Sequence, residues 1–311
     1  MNYIVFDLEW NQSNTGKEKE IKEVPFEIIE IGALKLNEEF EIIGEFNRLI
    51  KPQIYREMHH ITKKLIHLRI EQLQGEKLFK EVAEEFLSWC GSDFMFCTWG
   101  PLDLTELQRN MRYYKIPPLS DRPFKFYDIQ KLFSIAFEDK KSRRTLEYAI
   151  DFLDIKKDIP FHRAFSDACY TAKVLTCIEM WVFKNISFDV FSLPKSKKEE
   201  VFEIFDNYAK YISREFDSKQ DILEDREIMS TKCYLCRKNI KRKIKWFSPN
   251  GKHYYSIGLC NNHGYVKAKV RIRKAENEKL YAVKTIKLIP ESEMVEIKEK
   301  KERTKKNISK E

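Results

Sequence analysis

"YIVFDLEW", residues 3–10, is the stretch from which the rest of the chain can be read. Tyr3 to Phe6 is a short apolar run of the kind that becomes a buried strand. It ends on two carboxylates, Asp7 and Glu9, with Trp10 behind them. Side chains two apart on a strand point to the same side, so Asp7 and Glu9 stand together. Like charges that close repel unless a cation lies between them. Two solvated acids at a strand end are the plain alternative, because Asp-x-Glu is a common tripeptide.

Outward from that strand, "FEIIEIGALKLN" (26–37) and "EIIGEFNRLI" (41–50) are rich in isoleucine. The short polar connection at Asn37 pairs them as antiparallel strands. "GEKLFKEVAEEFLSWC" (75–90) has apolar residues at helical spacing, and "DFMFCTW" (93–99) reads as another buried strand. Gly100-Pro101 breaks it, and a helix follows over 102–116. Further helices are expected at 127–137, 145–153 and, longest, 164–183. The pattern predicts an α/β fold, a mixed sheet with helices packed on it.

Three more chemical residues fall at element ends. Asp103 lies where the 102–116 helix begins. Asp167 lies in the first turns of the long helix, with His162 five residues before it in "FHRAF". Four carboxylates suit Mg²⁺ or Mn²⁺, which take oxygen ligands. Two such ions can clamp the attacking and leaving oxygens of a phosphoryl transfer. A loop histidine can take a proton from the attacking water. Each residue also has a structural reading: Asp103 as a helix cap, His162 as a surface loop residue, Asp167 as a first-turn acid favoured by the helix dipole.

The order Asp-x-Glu, Asp, His-x4-Asp resembles the DEDDh 3′–5′ exonucleases, which include ribonuclease T and the polymerase III epsilon subunit. "VFDLEW", "FEIIEIGALKLN", "HHITKKLI", "TWGPLDLTEL" and "HRAFSDACYTAKVL" are similar to successive segments of one branch. It is the branch of histone-mRNA and small-RNA exonucleases and KapD-like proteins. The resemblance covers about residues 1–185. The third segment departs from the branch's usual Thr-Gly-Ile-Thr, reading His59-His60-Ile61-Thr62. The resemblance implies a ribonuclease H-like sheet in residues 1–190. It implies two Mg²⁺ or Mn²⁺ ions held by Asp7, Glu9, Asp103 and Asp167, with His162 as general base. Asp7 would bridge both ions, Glu9 and Asp167 would serve the ion nearer the water, and Asp103 would support the second. Leu8, Trp10, Ile61 and Thr62 are the substrate-binding candidates: Trp10 and Ile61 against terminal bases, Thr62 on sugar or phosphate. The expected partner is single-stranded nucleic acid, with RNA favoured because that branch trims RNA. An adaptor with an inert nuclease fold and a polymerase proofreading subunit are the alternatives.

Charge divides the chain. Residues 1–194 carry 27 Lys+Arg against 31 Asp+Glu, whereas 228–290 carry 16 against 2. In that basic stretch "CYLC" (233–236) and "CNNH" (260–263) form C-x2-C…C-x2-H. Cys233, Cys236, Cys260 and His263 suit one tetrahedral Zn²⁺ that would hold a small, zinc-ribbon-like C-terminal module folded. Lysines and arginines interleaved with Trp246, Phe247, Tyr254 and Tyr255 suit phosphates and bases. The expected layout is a helical linker over 191–230, with an amphipathic helix at 198–216. The basic module follows over 231–290, then a charged, disordered tail over 291–311. The seven cysteines are odd in number, which argues against a disulfide framework. No secretory signal or membrane-length apolar run is read, so the cytoplasm is the expected compartment. Nothing in the sequence points to protein partners.

Overall fold

The computed structural model describes residues 1–14, 18–66 and 68–308, with the side chains of 305–308 outside that description. It divides into two units: 1–120 with 124–189, and 121–123 with 190–311.

The first unit is built on a mixed six-stranded sheet in the order β3-β2-β1-β4-β5-β6. Its strands are β1 (Asn2–Asn11), β2 (Glu27–Leu36), β3 (Ile42–Leu49), β4 (Phe94–Thr98), β5 (Phe124–Asp128) and β6 (Ser187–Asp189). β1 pairs antiparallel with β2 and parallel with β4. Helices α1 (His60–Ile66), α2 (Phe79–Cys90), α3 (Leu102–Tyr113), α4 (Ile129–Phe137), α5 (Leu146–Phe152) and α6 (Ala164–Thr176) complete it.

Strand alternation sorts β1 into two cores. Ile4, Phe6 and Leu8 pack with Val82 and Phe86 of α2 and Leu104 and Leu107 of α3. Tyr3 and Val5 pack with Phe133 of α4 and Tyr170 and Val174 of α6. Asp7 and Glu9 continue the second row, so the pleat aims them toward the α6 side. The helix expected over 127–137 is preceded by β5, and Asp128 ends that strand while capping α4 through the Lys131 N–H at 2.9 Å. The helix expected over 164–183 stops at Thr176, and a separate 3₁₀ turn spans Met180–Lys184.

The second unit holds an all-antiparallel sheet in the order β7-β8-β12-β11-β10-β9. Its strands are β7 (Val201–Ile204), β8 (Tyr208–Ile212), β9 (Lys241–Phe247), β10 (His253–Cys260), β11 (Gly264–Lys274) and β12 (Leu280–Leu288), with helices α7 (Lys219–Glu224) and α8 (Glu291–Ile308).

Three expectations are corrected here. The helix expected over 198–216 is the β7–β8 hairpin. Asp206-Asn207 turns the chain, and the Phe205 N–H donates to the Tyr208 carbonyl at 2.8 Å. Two residues of turn chemistry outweigh the helical spacing of the apolar side chains, because β8 gains a full ladder with β12. The segment expected as a linker belongs to the unit's core: Ile222 and Ile228 are fully buried. The module is therefore one part of a six-stranded unit rather than a small separate ribbon. The tail expected to be disordered forms α8, whose Met294 and Ile297 pack on Ile244 and Ile257. Residues 309–311 of that tail lie outside the described residues. Among the described residues, no helix is long and apolar enough to cross a membrane.

Candidate active site and metal centre

The acids at the end of β1 meet the first turn of α6. Asp7, Glu9 and Asp167 each offer a carboxylate oxygen, and these atoms lie within 4.8 Å of one another. Gly32 makes the approach possible. It lies opposite Asp7 in the β1–β2 register. A Cβ there would stand 2.0 Å from the Phe165 nitrogen and 2.2 Å from the Ala164 carbonyl carbon. Only a residue without a side chain lets the first turn of α6 rest on the β2 backbone. The register slips between Glu9 and Trp10, a bulge of the kind that re-aims side chains at functional sites.

Asp103, at the start of α3, is buried and outside the 4.8 Å triad. It accepts hydrogen bonds from its own backbone N–H and from Leu8. Burial is the first cause of its carboxyl's rise to about 7, with Glu106 and Asp167 adding to it. Glu9 rises to about 8, from burial and then from Asp167 and Glu30. Asp7 is pushed well up by burial, then by Asp103 and Glu9. Asp167 rises to about 6 through burial, offset by the charge and backbone N–H of His162.

His162 stands exposed at φ +62, in the left-handed region that non-glycine residues seldom occupy. Its N–H reaches Asp167 Oδ2 at 3.3 Å. The next residue, Arg163, makes a two-pronged ion pair with Glu30, both N–O distances 2.9 Å, and Glu30 is fully buried. Glu30 lies opposite Glu9 on β2. This pair was not among the residues singled out from sequence. Its signal was an acid, Glu30, inside the otherwise apolar run "IIEIGAL" (28–34).

The substrate candidates separate. Ile61 is 49% exposed on α1. Trp10 is half-buried, its ring 5.4 Å from that of Phe26. The Thr62 hydroxyl donates to the Trp10 carbonyl at 3.3 Å. The Leu8 side chain belongs to the core, and its backbone N–H donates to Asp103. His59 is buried and holds the loop: its N–H donates to Asn11 Oδ1 at 2.8 Å, and its Nδ1 lies 3.1 Å from Gln12 Nε2.

The donor set fits a divalent ion. All of its atoms are carboxylate oxygens, and Asp167 Oδ1 is buried with no hydrogen-bond partner among the described residues. An unsatisfied buried carboxylate oxygen is costly unless a cation completes it.

The exonuclease family model of ribonuclease T type matches residues 4–175, more than half of the chain. The chain belongs to this family. Its first unit accordingly carries the exonuclease domain of that family. No curated protein sequence matches the chain. Among solved structures, the nuclease domain of 3′hExo, a DEDDh family member bound to rAMP, is similar at TM-score 0.49 and 19% identity, over 57% of this chain and 90% of that one. A 3′-exonuclease recognising the histone mRNA stem-loop is similar at TM-score 0.49 and 16% identity, over 62% and 92%. S. pombe Pop2p in its Mg²⁺- and Mn²⁺-bound form is similar at TM-score 0.41 and 17% identity, over 56% and 81%.

The second unit, beyond the family match, holds the cysteine cluster. Cys233 and Cys236 lie in the turn before β9, Cys260 ends β10, and His263 precedes β11. Gly264, at φ +85, closes the second turn. Cys236 Sγ and Cys260 Sγ are 3.7 Å apart, and His263 Nδ1 lies 3.5 Å from the sulfurs of Cys233 and Cys260. A tetrahedron with Zn–S of about 2.3 Å and Zn–N of about 2.0 Å spaces its ligands about 3.5–3.8 Å apart, so the donor set fits zinc. Burial opposes ionisation of Cys260, but N–H groups of Asn262 and His263 and the His263 ring hold its thiol down at about 6.

Proposed function

We propose that the protein is a divalent-metal-dependent 3′–5′ exonuclease that removes nucleoside 5′-monophosphates from single-stranded nucleic acid, RNA in preference to DNA. The convergence of Asp7, Glu9 and Asp167, with one Asp167 oxygen left unsatisfied, carries the reading. Asp7, Glu9 and Asp167, with Asp103 supporting, would hold two Mg²⁺ or Mn²⁺ ions, which supply Lewis-acid stabilisation of the charge developing on phosphate. His162, on its loop beside Asp167, takes the proton from the water that attacks the last phosphodiester. The bond from phosphorus to the 3′ oxygen of the penultimate nucleotide breaks, that oxygen takes a proton from solvent to become the new 3′ hydroxyl, and the 5′-monophosphate departs. Exposed Ile61 would wedge against the terminal base, and the half-buried ring of Trp10 would offer a second stacking surface. Cys233, Cys236, Cys260 and His263 hold one structural Zn²⁺. The preference for RNA rests on the resemblance of the sequence segments to the RNA-trimming branch.

The test is digestion of 5′-labelled single-stranded RNA and DNA with Mg²⁺, Mn²⁺ or chelator, beside Asp7→Ala and His162→Ala. A metal-dependent ladder is expected, faster on RNA. It should be absent in Asp7→Ala and about 10²–10⁴-fold slower in His162→Ala, the usual worth of a general base. Tight binding with no ladder on any substrate would leave a nucleic-acid adaptor in place of an enzyme.

A further inference from the structure

The register of the second sheet separates its basic residues more sharply than the sequence does. Along β11, Val266, Ala268 and Val270 are fully buried, whereas Lys267, Lys269, Arg271 and Arg273 alternate with them on the other face. Cross-strand pairing extends this face sideways. Tyr255 of β10 lies opposite Lys269, and Thr285 of β12 lies opposite it on the other flank. Lys287 of β12 faces Lys267, and Tyr208 of β8 faces Lys287.

α8 divides the face in two. Its Glu293 neutralises Lys267 and Lys287. Its Lys300 sits 4.6 Å from the centre of the Tyr255 ring. Beside the helix, Lys269, Arg271 and Arg273 meet no carboxylate among the described residues, and both arginines are exposed. Burial first, then the charges of Lys267, Arg271 and Lys300, hold Lys269 down, and Arg273 and then burial lower Arg271, with Tyr281 acting the other way. A fold tolerates such self-repulsion on a surface that meets polyanions.

We propose that this strip of sheet, Lys269, Arg271 and Arg273 with Tyr255 at its margin, is a binding platform for a single strand of nucleic acid. Its cations recur every second residue, about 6.8 Å apart at strand rise, a spacing suited to successive phosphates of an extended strand. An aromatic at the rim of the strip suits unstacked bases. The inference extends the nuclease reading to the second unit. It is read by binding without turnover, so it stands or falls separately from catalysis.

The experiment is fluorescence anisotropy of a labelled single-stranded oligonucleotide with the full chain carrying Asp7→Ala, titrated at several salt concentrations. Lys269→Gln/Arg271→Gln is compared with Lys243→Gln/Lys245→Gln on β9, which removes the same charge elsewhere in the sheet. Arg271→Gln/Arg273→Gln, at two exposed positions, guards against misfolding. Each lost phosphate contact on a single strand lowers the salt slope by about 0.7, so the platform variants should lose about 1.4 and bind at least tenfold more weakly. The β9 pair should change affinity less than threefold. An unchanged slope in the platform variants, an equal loss in the β9 pair, or equally salt-sensitive binding to anionic vesicles that also requires Lys269 and Arg271, would overturn the assignment.

Discussion

Asp167 carries one carboxylate oxygen that no atom of the described residues satisfies, and its neighbours are themselves acids. Such a cluster holds protons near neutrality: Glu9 at about 8, Asp103 at about 7, Asp167 at about 6. The unfolded chain releases these protons near pH 4. The fold therefore binds more protons than the unfolded chain between about pH 4 and 8, and the cluster's contribution to stability falls as pH rises through that window. Divalent cations need the ionised form, so their stabilising effect grows over the same range. Thermal unfolding with and without Mn²⁺ at pH 5 and pH 8 should show a larger Mn²⁺-induced rise in Tm at pH 8. An equal rise at both would mean that these acids do not hold the ion.

Gly32 governs the packing of whole elements, because α6 reaches β2 only where there is no Cβ. Gly32→Ala must push the first turn of α6 away, and Asp167 with it. The expected cost is about 1–3 kcal/mol of stability, the usual range for overpacking. Divalent affinity should fall by at least tenfold. Calorimetry and Mn²⁺ titration test both, and an unaltered Mn²⁺ affinity would show that α6 tolerates the shift. The hairpin β7–β8 gives the opposite lesson. "KEEVFEIFDNYAKYISREF" carries apolar residues at helical spacing, yet Asp206-Asn207 folds it back. Local periodicity was legible there, but the β12 edge that selects strand over helix lies some seventy residues away. The anchoring of α8 was hidden in the same way, since Met294 and Ile297 are two apolar residues in a charged run.

At the scale of the molecule, a nuclease domain is followed by a basic unit whose cysteine cluster has zinc spacing. In Cys233→Ser, zinc content should fall from one per chain to below about a tenth, and the second unit should lose several kcal/mol, since structural zinc is coupled to folding. Hydrolysis of a short oligonucleotide at the acid cluster should persist. Metal analysis and a turnover assay on the same preparation test this, and full zinc occupancy in the variant would remove Cys233 from the ligand set.

The sequence by itself determined the family resemblance and the candidate groups, because the carboxylates, His162 and the pairs Cys233/Cys236 and Cys260/His263 are residue types in a fixed order. It also determined the first unit's main strands, because period-two burial and short apolar runs are local signals. Tertiary structure alone decided what depends on contacts distant in the chain. It set Gly32 beneath α6, locked Glu30 to Arg163 across 133 positions, and drew residues 191–230 into the second core. It also sorted sixteen basic residues of one stretch into buried, neutralised and unpaired ones. Side-chain type is written in the chain; which face a side chain shares, and with what, is fixed only when strands far apart in sequence pair.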